Sequence, residues 1–137
     1  MKKLLLIPAI ASLMLFAAED NNATQEKSND QIKTMQNLEI AMSTIQKGFL
    51  YNNSDLVKNG ISSLKENVKN IKSFDIKNDK NKDFDAKKYS IAELKAIGLL
   101  ADNMLKDFDK GDKEVVLSDF QKTLNRCVTC HLLVRKW

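Results

Sequence analysis

This sequence predicts an all-α fold, an antiparallel four-helix bundle. Three observations predict it. Apolar residues recur at alternating spacings of three and four in four separate stretches, which is the period of a single helix face. The one proline, Pro8, lies close to the start, so nothing downstream carries the residue that interrupts helices. The strict alternation of apolar and polar residues that marks strands is absent.

The 137 residues suggest one domain. Met1-Lys2-Lys3 is a short basic start, and Leu4 to Phe16 is an almost unbroken apolar run. Ala17 and Ala18 follow, then the polar Glu19-Asp20-Asn21-Asn22. That order describes a secretory signal peptide over residues 1–18. A membrane span needs roughly 20 apolar residues, and this run is shorter. An uncleaved anchor is the alternative, because no clean Ala-x-Ala site is present. No cysteine sits near the cleavage region to carry a lipid. Residues 19–29 are polar and without period, and are expected to form a flexible tether. Residues 30–137 form the bundle domain.

Helix one is expected from Asp30 to Tyr51, with Met35, Leu38, Met42, Ile45 and Phe49 as its seam. Asn52-Asn53-Ser54 is a turn, and Ser54 suits an N-cap. Helix two is expected from Asp55 to Phe74, with Val57, Ile61, Leu64, Val68 and Ile71 in register. Gly60 weakens it slightly. Asp75 to Lys88 is a charged loop, longer than most helix connections. Helix three is expected to open on a capping box of Ser90 and Glu93, with Tyr89 and Leu94 as a hydrophobic staple. Its seam is Leu94, Gly98, Ala101, Leu105 and Phe108, and the small Gly98 and Ala101 leave space beside it. Gly111 suits a helix stop, and Asp112 suits the cap of helix four. Leu117, Phe120, Leu124, Cys127, His131 and Val134 then share one face of helix four.

The whole chain has 22 Lys+Arg and 18 Asp+Glu. Removing Lys2 and Lys3 with the leader leaves 20 against 18, a net of +2. The lysines are interspersed with acids, as on solvated helix faces, and no aromatics alternate with a basic patch. Nucleic acid is therefore not an expected partner, and neither is stable insertion of the mature domain into a membrane.

The only two cysteines and the only histidine stand together as Cys127-Val128-Thr129-Cys130-His131. Cys-x-x-Cys-His is the attachment signature of a c-type haem. Two cysteines three apart on a helix lie on one side and span two vinyl groups, and the next residue turns an imidazole toward the iron. A disulfide would close a tiny loop and stabilise little. A thioredoxin-like redox motif opens a helix after a strand, and this one closes an all-helical chain. A zinc site needs about four ligands, and none but these three are near. His131 as a plain buried histidine is the bland alternative. The expected cofactor is one covalently attached haem, held by Cys127, Cys130 and His131.

The placement of this motif near the C-terminus of a fourth helix resembles the cytochrome c-prime family. The continuation His131-Leu132-Leu133-Val134-Arg135 is similar to its pattern of His, two variable residues, an apolar residue and a basic one. The resemblance covers about residues 30–137, and its motif content is confined to Cys127–Arg135. Members with a vacant sixth position bind small gases such as nitric oxide or carbon monoxide. Low-spin relatives use a methionine of helix one and carry electrons. Leu38-Glu39-Ile40-Ala41-Met42-Ser43-Thr44-Ile45 resembles the opening of the soluble four-helix b-type cytochrome, whose methionine ligand stands at the place of Met42. The resemblance thus implies His131 and Met42 as axial ligands, and it also implies transient docking with periplasmic redox proteins.

From spacing alone Met42 reads more readily as a core residue, and Met35 and Met104 are weaker candidates for the ligand. Arg135 is a propionate partner or a solvated terminal cation. Phe49, Leu38, Phe108 and Leu124 are expected around the porphyrin, and Trp137 at its edge. With no distal histidine and no acid–base pair, the chain reads as a carrier and not an enzyme. Family members often dimerise through their first two helices, which the polar faces here neither demand nor forbid.

Overall fold

The computed structural model describes residues 19–74, 76 and 84–135. The expected signal peptide, most of the charged loop and Trp137 lie outside the described residues. The fold is all-helical, as expected: α1 (Glu19–Leu50), α2 (Ser54–Val68), α3 (Ala86–Asp109) and α4 (Lys113–Arg135), with no strand among the described residues. A 3-10 turn, Lys69–Ser73, tightens the end of α2. No helix of the described residues is long and apolar enough to cross a membrane.

Each boundary has a local cause. Asn52 takes a left-handed φ of 49°, a conformation Asn tolerates, and stops α1. Asn53, and not Ser54, caps α2, its side chain accepting from the Leu56 amide at 3.1 Å. The α3 start also differs from expectation. Asp85 is the cap, accepting from the Lys88 amide at 2.9 Å, so the helix begins a turn earlier than Ser90. Ser90 is buried inside the helix and donates back to the Ala86 carbonyl at 2.8 Å. The expected staple is not made by Tyr89, whose ring packs on Phe84 with centroids 5.5 Å apart. Gly111 does end α3 at φ +82°, and Asp112 caps α4 by accepting from the Val115 amide at 3.2 Å.

Residues 19–29 are helical where a flexible tether was expected, being the first turns of α1. From Gln25 to Asp30 every residue is exposed, so the helix there has no face to bury and leaves no apolar period.

Neighbouring helices run antiparallel. Gly48 lies against Val57 and Gly60 against Ile45, and Asn37 donates to Asn67 at 3.1 Å, so α1 descends as α2 rises. Lys58–Asp109 and Lys65–Asp102, both at 2.6 Å, set α2 against α3 in the same sense. Ile45, Ile61, Leu64, Val68, Ile97, Ala101, Met104 and Val116 form the dry centre. On α3, Ala101 is buried as expected and Leu94, Leu105 and Phe108 pack partly buried against the core, while Ile97 and Met104 also enter it and Gly98 faces open space. On α4 the packed face is Val116, Asp119, Phe120 and Thr123. Leu117 and Leu124, expected to be inward, lie at its exposed edge.

The glycines of the first hairpin decide how closely its helices pack. A β-carbon on Gly60 would meet the Ile45 backbone nitrogen at 2.8 Å and the Ala41 carbonyl oxygen at 3.0 Å. Gly60 is therefore a requirement of packing and not merely a weak helix former. Gly98 has nothing within 4 Å of such an atom. Gly60→Ala should destabilise by about 1–3 kcal/mol through overpacking. Gly98→Ala should stabilise by about 1 kcal/mol through helix propensity. Urea denaturation of the two variants checks these opposite signs.

Candidate cofactor site

α1 packs on α2, α2 on α3 and α3 on α4, but α1 and α4 barely touch. The bundle is thus open along one side, toward the end that carries the C-terminus of α4. A cleft of about 900 Å³ occupies this gap, within the range of about 300–1,000 Å³ usual for ligand sites.

The α1 wall of the cleft presents Met35, Leu38 and Met42, and the α4 wall presents Leu124, Cys127, Val128, Cys130, His131 and Arg135. All five candidate residues, Cys127, Cys130, His131, Met42 and Arg135, therefore border one space, though Met42 lies far in sequence from the other four. Leu64, Val68 and Phe74 close its floor. Leu124 and Val128 are 47% and 40% exposed, and both lie on the cleft side of α4. Their exposure follows from the missing α1–α4 contact: an apolar stripe that a closed bundle would bury is left facing the gap.

Other expectations fall elsewhere. Phe49 stacks at a tilt on Phe120, centroids 6.4 Å apart, and Phe108 receives the Lys58 ammonium at 5.5 Å. Neither borders the cleft, because each sits near the far end of its hairpin, and the bundle fills that end with side chains. Met104 is fully buried in the centre and does not border the cleft either. Leu38 and Leu124 do border it, as expected.

The electrostatics favour neutral groups. Burial pushes the Cys127 thiol up to about 11, with the Cys130 sulfur next to it adding to the rise. Burial also pushes Cys130 up, while the Ser90 hydroxyl pulls the other way. Burial holds His131 below the ordinary imidazole value, and the Arg135 cation adds to that. At neutral pH the site therefore presents two thiols and a neutral imidazole, which is the metal-binding form of histidine. Raised thiols are the reverse of the low-pKa cysteine that thiol–disulfide exchange uses. Among the described residues no group of three or more His, Cys, Asp or Glu side chains is placed to hold a metal ion directly.

Two residues of the cleft wall were misread from sequence. Ser90 and Glu93, taken as a capping box, both border the cleft from α3. Glu93 accepts from the Arg126 guanidinium of α4 at 3.0 and 3.2 Å. The signal that could have found them is Asp85, an equally good cap five residues earlier. With the cap there, Ser90 and Glu93 fall inside the helix and need another reason to be polar on an inward face.

No protein-family model matches this chain, and neither a curated protein nor a solved structure matches it.

Thiolate is the reactive form of cysteine, and a rise from 9.0 to about 11 lowers its share at pH 8. Alkylation of Cys127 in the folded, haem-free chain should be about a hundredfold slower at pH 8 than that of an ordinary thiol, a factor of ten per pKa unit. Its rate should climb until the pH passes about 11. Iodoacetamide labelling followed by mass spectrometry across pH measures it.

Proposed function

We propose that this chain is an exported, periplasmic c-type cytochrome that carries single electrons. One haem would be bonded through Cys127 and Cys130, and His131 and Met42 would hold its iron. One observation carries the reading: the Cys127–Cys130–His131 turn and Met42 border opposite walls of one apolar cleft that α1 and α4 leave open. A disulfide, a thiol-exchange centre or a buried structural histidine would require no such gap.

When bound, the haem iron supplies a one-electron ferric–ferrous couple. Everything else falls to this chain's own side chains. The two thiols, neutral and three apart, sit on one side of α4 and hold the group where free haem would diffuse away. The neutral imidazole of His131 offers its lone pair without first losing a proton. Met42, 9% exposed, brings a thioether from the facing helix, a soft ligand that raises the reduction potential. His131 and Met42 together would hold the iron, so that the chain would leave oxygen and peroxide no place to bind it. Leu38, Leu64 and Val68 exclude water from the walls. Arg135, at the exposed end of α4, offers its guanidinium to a propionate. Two propionates would bring the net charge of the mature chain near zero. The open side of the bundle leaves one edge of the site near solvent, where another periplasmic redox protein can dock transiently.

The chain produced with haem-maturation machinery should gain the mass of one covalent haem. Its ferrous spectrum should show sharp low-spin bands, with a methionine–iron charge-transfer band in the ferric form and no response to carbon monoxide. Met42→Ala should lose these features, and Met35→Ala should keep them. Broad high-spin bands that shift with carbon monoxide would remove Met42 from the iron and move the function to binding nitric oxide or carbon monoxide. A chain without covalent haem sinks the proposal.

A further inference from the structure

We infer that Glu93 sets the reduction potential of the bound cofactor from the α3 wall, holding it below the value a neutral wall would give. This rests on the haem reading above. Glu93 borders the cleft with a side chain only 13% exposed. Glu39 on α1 also borders the cleft, but it is exposed to solvent and so screened.

The cation paired with Glu93 is displaced from the cleft. Arg126 is 43% exposed and does not border it. Arg126 instead lines a smaller lateral pocket between α3 and α4, with Glu93 as the wall between the two spaces. The carboxylate therefore stands between the cleft and its own counter-charge, so its field on the cleft side is only partly cancelled; Arg135, a cation that also borders the cleft, is exposed and so screened. That field already reaches the cofactor-bearing turn. After burial and the neighbouring Cys130 sulfur, the Glu93 charge is among the causes that push the Cys127 thiol up.

A fixed anion beside a centre that alternates between two charges favours the more positive one. In a poorly hydrated wall the effect is weakly screened. Ferric iron is thus stabilised over ferrous, and the potential is lowered. Arg126 opposes this from farther away. Removing the anion and removing its cation should therefore move the potential in opposite directions. A merely structural clamp behaves differently, because breaking the Glu93–Arg126 pair from either side loosens the same α3–α4 contact.

The test is a redox titration of the haem-loaded protein and three variants, with helical circular dichroism as the check on folding. Glu93→Gln should raise the potential, and Arg126→Gln should lower it. Glu93→Asp keeps the charge and should stay close to the parent. Shifts of the same sign in the two Gln variants, or no shift, overturn the inference while leaving the haem reading intact. A parent chain that carries no covalent haem overturns the haem reading, and the inference with it.

Discussion

The close contact of α1 with α2 is the constraint on which the rest of the architecture depends. Gly48 and Gly60 let the two backbones approach until no β-carbon fits between them. The Asn37–Asn67 hydrogen bond fixes the register of that contact at the other end of the pair. α1 packs mainly on α2 and meets α4 only sparingly, as where Phe49 packs on Phe120, so a gap is left between α1 and α4. It is floored by residues of α2 that are already committed to the core.

This division explains why the bundle is solid at one end and open at the other. Toward the α1–α2 and α3–α4 turns, Phe49, Phe108 and Phe120 fill the space with aromatic volume. Toward the opposite end the facing residues are methionines, leucines and the Cys-x-x-Cys-His turn, and between them the walls stay apart. Burial governs the chemistry of those walls, raising both thiols and lowering the imidazole. Under the proposed function, this neutral set suits a group whose iron and propionates bring their own charge. Apart from the exposed Glu39 and Arg135, Glu93 is the exception, a carboxylate retained in the wall and tied to a cation on the solvent side.

Much of this was legible in the chain because helix periodicity is local. Met35, Leu38 and Met42 could be put on one face by counting, and so could Cys127 and His131. Helix ends were less legible, since Asp85, Ser90, Asn53 and Ser54 are all competent caps and only the packing of neighbours selects among them. The helical character of residues 25–29 was equally hidden, as an exposed helix writes no apolar pattern.

The sequence by itself determined the helical class, the faces that would be apolar and the grouping of Cys127, Cys130 and His131, because each depends on residues within a few turns of one another. Only the tertiary structure decided that Met42 borders the same space as that triplet and that Met104 does not. It also decided that Phe49 and Phe108 belong to the closed end and that Glu93 lines a cleft instead of capping a helix. Those outcomes depend on how far apart two helices stand, and that distance is set by close contacts such as Gly60 against Ile45, made between residues distant in the chain.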